Sequence, residues 1–221
     1  MNPGGSRLRA LAVFLLSLTL LVLPGCGKDA QSGGKAAKGG KGKAGEGRRV
    51  PIRMPDDQEL ATFILRPRLV RVEYTEGGAP RILEARLGAS VRRYWDGTNT
   101  LAEAATTDNQ IRLRGADGAL LWTVVTRGPR VKLTPKDDGA EPIWMARPDE
   151  ARMRISRGEA TLGRVTLDGN KKRVKIRDPF GNVLYDAPST RVEPWFGVLT
   201  LPEMSRTERY LLMLELLAAG L

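Results

Sequence analysis

The fold turns on the reading of one stretch, Ser205 to Leu221, S-R-T-E-R-Y-L-L-M-L-E-L-L-A-A-G-L. Ser205 and Glu208 stand at the spacing of a capping box, just ahead of an apolar run, so a helix starts there. From Tyr210 to Ala219 the only polar side chain is Glu215. A helix resting on a protein surface keeps a polar face, and this one has almost none. It is too short to cross a bilayer, which takes about 20 apolar residues. The stretch therefore predicts a helix enclosed by the rest of the chain, with Leu211, Leu212, Leu214 and Leu217 in the core. Glu215 is the odd residue, because a carboxylate inside a fold is costly unless partnered. It could reach a rim, pair with an inward arginine, or mark a functional cavity. The rim is favoured, and Arg93, which interrupts the apolar alternation of its own segment, is the candidate partner.

Working back from the helix, residues 69–185 repeat a single pattern. Leu69-Val70-Arg71-Val72 leads to Gly77-Gly78 and then Ile82-Leu83. The same form recurs at Val91–Tyr94, Ile111–Arg114, Val131–Leu133, Met153–Ile155 and Val174–Arg177, each followed by a turn and a second apolar run. The turn glycines fall at 77, 97, 118, 139, 158 and 181. Asp-Gly between alternating runs is a strong local hairpin signal. Six hairpins give about twelve antiparallel strands, mainly β, with aliphatic residues toward a core and Arg or Lys toward water. Such a sheet can close on itself and lose its edges. A barrel of about eight strands is filled by its own side chains, whereas a wider one needs a plug, and the terminal helix supplies it.

Competing arrangements are a β-sandwich with the helix laid across it and a half-barrel holding an acyl chain. The first would leave a polar outer face on the helix. In the second the helices come from within the chain and lie across the open mouth.

Twelve strands around an apolar C-terminal helix resemble the tubby C-terminal-like architecture, shared by tubby domains, phospholipid scramblases and the plant LURP-one-related proteins. The likeness is carried by V-K-I-R-D-P-F-G-N-V-L-Y at 174–185, its five looser copies and the helix. It covers residues 68–221 and implies lipid-facing work. No binding residue of the family can be placed on this chain, and the membrane segment proposed to follow the barrel in scramblases is missing.

Ahead of the barrel, Pro55-Asp56-Asp57 followed by Glu59, Leu60, Phe63 and Ile64 reads as a short helix with acidic residues in its first turn. It ends before Pro67, and residues 50–67 would cap one mouth. Residues 27–49 are rich in Gly and Lys and have no large apolar side chain, so they read as a disordered tether reaching roughly 26 Å.

At the start of the chain, Arg7 and Arg9 precede an apolar run, Leu11 to Leu23, of signal-peptide length. It closes on Leu23-Pro24-Gly25-Cys26, which resembles the lipobox of bacterial lipoproteins. The resemblance implies removal of residues 1–25 and lipid on Cys26. Pro24 departs from the commoner Ala or Ser. Gly27 after the cysteine favours the outer membrane. The expected product is exported and held on a membrane by its N-terminal lipid.

Composition narrows the chemistry. The chain has no His and a single Cys. No Cys/His zinc site, Ser-His-Asp triad or Cys-His pair can form. No catalytic constellation is visible, no cofactor or metal is expected, and the domain reads as a non-enzymatic binding or structural module. A lipid-handling protein is the alternative. Arg71, Arg92, Arg112, Lys132, Arg154 and Lys175 sit mid-strand in their hairpins and form a candidate outward belt for anionic lipid or an envelope polymer. Nucleic acid is not an expected partner, and no protein partner can be named. Asp137-Asp138-Gly139 and Asp168-Gly169-Asn170 lack calcium-loop spacing and read as turns. Trp95, Trp122, Trp144 and Trp195 read as core packing.

Overall fold

The computed structural model describes residues 47–88, 90–136 and 139–221. The lipobox with Cys26, the signal segment, most of the tether and the Asp137-Asp138 pair lie outside the described residues. Residues Gly42–Leu221 form one compact unit.

The unit is a closed antiparallel barrel of fourteen strands. They are β1 (Arg48–Arg53), β2 (Glu59–Arg66), β3 (Leu69–Glu76), β4 (Ala79–Arg86), β5 (Val91–Asp96), β6 (Asn99–Thr107) and β7 (Gln110–Gly115). The second half comprises β8 (Leu120–Arg127), β9 (Arg130–Pro135), β10 (Ile143–Asp149), β11 (Arg152–Arg157), β12 (Ala160–Asp168), β13 (Arg173–Arg177) and β14 (Val183–Pro188). Every strand pairs with its sequence neighbour, and the ring closes where Arg53 of β1 meets Asp186 of β14. The six expected hairpins are β3/β4 through β13/β14. Gly97 (φ 61°) and Gly118 (φ 78°) take the left-handed conformation that their turns need.

Two expectations are corrected at the N-terminal side. Residues 50–67 are not a helical cap but most of a seventh hairpin, β1/β2, and Arg48 and Arg49 belong to it rather than to the tether. Asp56-Asp57 make its turn. The Met54 amide donates to the Gln58 carbonyl at 2.9 Å, Asp57 adopts φ 64°, and the Asp56 carboxylate accepts from the Gln58 amide at 3.1 Å. Aspartate serves an Asx-type turn as readily as a helix start, because its side chain can replace a backbone acceptor.

Alternation places one face inward. Ile111 and Leu113, Val131 and Leu133, Met153 and Ile155, and Val174 and Ile176 are buried and belong to a single core. That core is completed by the chain's own C-terminal segment, which crosses the barrel twice. After β14 the chain stays at one rim, where the Ser189 amide donates to the Lys172 carbonyl and the Val192 amide to the Glu150 carbonyl. Residues 192–201, comprising α1 (Pro194–Gly197) and a 3₁₀ turn (Val198–Thr200), are buried without interruption. They reach the opposite rim, where Glu203 pairs with Arg157 and the Arg206 guanidinium donates to the Thr75 carbonyl at 3.1 Å. There α2 (Arg206–Ala218) begins with the expected capping box, both hydrogen bonds formed at 3.2 Å, and runs back.

All eight residues from Tyr210 to Leu217 are buried, Leu211, Leu212, Leu214 and Leu217 among them. At 100° per residue they cover the whole circumference of the helix, so it is enclosed on every side. A sandwich with a helix on its outside would expose one face. Both passes pack on Phe63 of β2, which lies 5.2 Å from Trp195 and 5.7 Å from Tyr210, ring centre to ring centre, and Trp195 stacks on Phe196 at 3.9 Å. Trp195 and Trp122 are core residues, whereas Trp95 and Trp144 are only partly buried.

Gly163 on β12 marks where the first pass meets the wall. A methyl group there would lie 2.5 Å from Thr200 Cγ2 and 2.7 Å from the Arg177 carbonyl. Gly163→Ala is expected to cost about 1–3 kcal/mol as an overpacking change. Thr200→Ser, which removes that methyl, should return part of the loss in a urea melt of the double variant.

Burial of Tyr210 also predicts alkaline sensitivity. Desolvation pushes its phenol up to about 12 from an ordinary 10. Below pH 10 both states are neutral there and the stabilisation is fully present. Above it the unfolded chain loses a proton that the folded chain holds until about pH 12. Stability therefore falls across that window, by roughly 2–3 kcal/mol from this residue. A Tyr210→Phe variant should lose measurably less stability between those two pH values.

Candidate functional site

The two ends of the barrel can be told apart by the chain. The entry rim carries Gly47, the even-to-odd connections such as 128–129 and 169–172, and the C-terminus. The far rim carries the odd-to-even turns and the crossing from the 3₁₀ turn to α2.

The expected belt of six cations resolves into separate cases. Arg112 and Arg154 are exposed on the outer wall, and Arg154 donates to the Glu159 carbonyl at 3.4 Å. Lys132 lies 5.7 Å over the ring of Trp144, its cross-strand neighbour. Lys175 faces Asp186 across β13 and β14. Arg71 is neutralised by Glu84, with its Nε 2.8 Å from the carboxylate. These five stand on alternate or more distant strands around a perimeter of about 67 Å, taking 4.8 Å per strand. One flat partner can meet only a few of them.

Arg92, the sixth, is not on the belt. Its side chain is 11% exposed and points inward to Glu215, which is fully buried. Arg92 Nε donates to both carboxylate oxygens at 2.9 and 3.1 Å, Nη2 donates to Glu215 and also to Thr106 Oγ1 at 2.7 Å, and the Tyr94 hydroxyl donates to the second oxygen. The carboxylate thus has an inward arginine, but its partner is Arg92 and not Arg93. Arg93 faces out and pairs with Glu103 at 2.7 Å. The reason is strand parity. Arg92 shares the inward face with Tyr94, while Val91 and Arg93 share the outer one, and Val91 is exposed.

Electrostatics fit this arrangement. Burial, then the carboxylate beside it, holds the Tyr94 phenol well above its ordinary range, so it stays a donor. The hydrogen bond to Glu215 raises the Arg92 guanidinium further, so it stays charged. Both oxygens of Glu215 are thus taken up by donors from β5. A cavity of about 220 Å³ lined by Arg92, Asp108, Asn109, Ala219 and Leu221 opens above the cluster at the entry rim. The reading of Glu215 as a rim residue is therefore corrected: it lies below the rim, fully buried and paired.

A second carboxylate is buried at the same rim, next to the seam. Glu193, 4% exposed, accepts from Arg48 at 2.5 and 3.0 Å and from Arg191 at 2.9 Å. Burial alone would raise its pKa, but Arg48 and Arg191 outweigh it and hold the carboxyl below its usual range. Beside it lies a cavity of about 590 Å³ lined by Arg48, Arg49, Lys172, Ser189, Thr190 and Arg191. Sequence reasoning missed this place because it assigned Arg48 and Arg49 to the tether. The available signal was the apolar alternation of Val50 and Ile52, both buried.

The expected turn at Asp168-Gly169-Asn170 is present, closed by the Lys171 amide on the Asp168 carbonyl at 3.2 Å. Among the described residues no helix is long and apolar enough to cross a membrane. Comparison of the chain with protein-family models, curated proteins and solved structures gives no match.

Proposed function

We propose that this chain is a membrane-anchored envelope lipoprotein whose barrel is a non-enzymatic binding or structural domain. The observation that carries the reading is the filled interior. Residues 192–201 and α2 occupy the space that a ligand-carrying barrel of this width would leave open. Binding then falls to the rims and the outer wall. Anchoring rests on the sequence of the first 26 residues, with Cys26 as the lipidated residue. Gly27 favours the outer membrane over the inner one. A barrel around an apolar terminal helix also supports a tubby-like reading, although two chain passes fill this barrel instead of one.

Two measurements test the proposal. In cells fed labelled fatty acid, the chain should take up label and Cys26→Ser should take up none; equal labelling of both removes the lipoprotein reading. Lipid extraction of the purified barrel domain followed by mass spectrometry should find no stoichiometric lipid. Stoichiometric phospholipid would favour the lipid-carrier alternative instead.

A further inference from the structure

The barrel is electrically polarised along its axis. Each rim consists of its connections and the residue flanking each of them on either side. The entry rim then carries eleven Arg and Lys against five Asp and Glu. The far rim carries five basic residues against ten acidic ones among the described residues. The core does not require this sorting, since all these groups except the buried Glu193 lie at or beside connections outside it. The two rims are separated by the length of α2, about 20 Å at 1.5 Å per residue. That is more than twice the Debye length of about 8 Å at physiological salt, so neither rim cancels the field of the other.

Most of the entry-rim charge is unspent. Arg66, Arg68 and Arg86 on one side of the mouth, and Arg127, Arg130, Lys171 and Lys172 on the other, are exposed. None of the seven makes an ion pair among the described residues. Arg127 and Arg130 even face each other as cross-strand partners, an arrangement that is destabilising on its own. At the seam the exposed Lys172 and Thr190 line a concave site beside Arg48, Arg49 and Arg191, whose charges are already shared with Glu193 and Glu73, so Lys172 is the uncommitted cation that a phosphate-sized group would meet there.

We propose that the entry rim is the face with which the barrel sits end-on against a membrane bearing anionic phospholipid headgroups, the seam cavity seating a headgroup phosphate. This rests on the lipoprotein reading in one respect. The chain enters the barrel at Arg48, so an anchor on the preceding segment draws this rim, and not the far one, toward the bilayer. The preceding stretch of sequence, 27–46, is itself basic, with five Lys against one Asp and one Glu. A rim is also the one part of a cylinder that presents many cations to a flat surface at once, which the belt on the outer wall cannot do. The acidic far rim is repelled from the same surface, so orientation is set by both ends.

The test uses the compact unit 42–221 without its anchor, which separates this proposal from the lipoprotein reading. The probes are vesicles of phosphatidylcholine alone and vesicles with about one third phosphatidylglycerol. The unit should float with the second and not the first, and should release as salt rises from about 0.05 to about 0.5 M. Arg127→Glu/Lys171→Glu/Lys172→Glu should weaken binding at least about tenfold, given roughly fivefold per cation at such a surface. Arg112→Glu/Arg154→Glu/Arg164→Glu, the last being the exposed cross-strand neighbour of Arg154, changes net charge equally on the outer wall and should stay within about threefold. Comparable loss in both variants would overturn the proposal, as would no binding to the anionic vesicles. Salt-sensitive self-association of the unit, lost in the rim variant while vesicle binding is unchanged, would assign the two rims to end-to-end stacking and overturn it too. Rim-dependent binding alongside failed labelling at Cys26 would leave this inference standing and remove only the anchor.

Discussion

Leu214→Asp should abolish the cooperative unfolding transition of the barrel unit and send the protein to the insoluble fraction. Leu214 is fully buried at the middle of α2, with buried neighbours before and after it in the chain. No rotation of the helix can bring the position to water, because every azimuth is enclosed. The leucine contributes about 2–5 kcal/mol by comparison with core truncations. An aspartate in its place adds several kcal/mol for an unpaired buried charge. Together these approach the whole stability of an ordinary domain, about 5–15 kcal/mol. Leu214→Met keeps volume and polarity and should cost less than about 1.5 kcal/mol. Circular dichroism melts of the two variants check the contrast. A soluble Leu214→Asp protein with a sharp transition would mean that the helix leaves the barrel at little cost, and the plug would lose its role.

How much of this could be read from the chain depends on how local each signal is. The twelve strands from β3 to β14 were legible because alternation and turn residues agree within each twenty-residue unit. β2 was not, because its outward Thr62 and Ile64 are buried along with inward Ala61 and Phe63, which erases the alternation. Ile64 is flanked across the sheet by Arg49 and Arg71, which with Glu73 and Glu84 form a network of ion pairs on the outer wall. Long charged side chains can cover apolar surface with their stems, and composition alone does not reveal where they do so. The first interior pass, 192–201, was missed for a different reason. It is too short to show a helical period, and it is buried by tertiary placement.

The site followed the same rule. A carboxylate on an apolar helix poses a choice between a rim position and a buried donor, and at Glu215 the sequence favoured the rim while the fold supplies the donor. Which donor it is depends on strand parity. In V-R-R-Y either arginine satisfies a local reading, and Tyr94 decides the matter by taking the inward face. The charge sorting between the rims was invisible while Arg and Asp were counted along the chain. It emerges only when turns are assigned to ends, and each end collects every second connection.

Arg92→Met should destabilise the barrel unit by about 3–5 kcal/mol, because it removes the cation and leaves a carboxylate enclosed without its counter-charge. Tyr94 and its single hydrogen bond cannot replace a guanidinium that donates to both oxygens. The partner change, Glu215→Leu, leaves Arg92 near the 220 Å³ cavity at the mouth, where it can turn toward water, and should cost less. Arg92→Met/Glu215→Leu/Tyr94→Phe removes the whole polar cluster and should recover most of the loss, since apolar replacements of buried ion networks are often neutral or better. Urea midpoints of the series give the coupling directly. A single-variant cost below about 1 kcal/mol would mean that water from the mouth solvates Glu215, and the enclosure of α2 at its C-terminal end would be in error. Full recovery in the triple variant would instead show that the cluster adds little net stability. Its role would then be register: it ties the returning helix to β5 at one depth, because only there does a carboxylate find both donors.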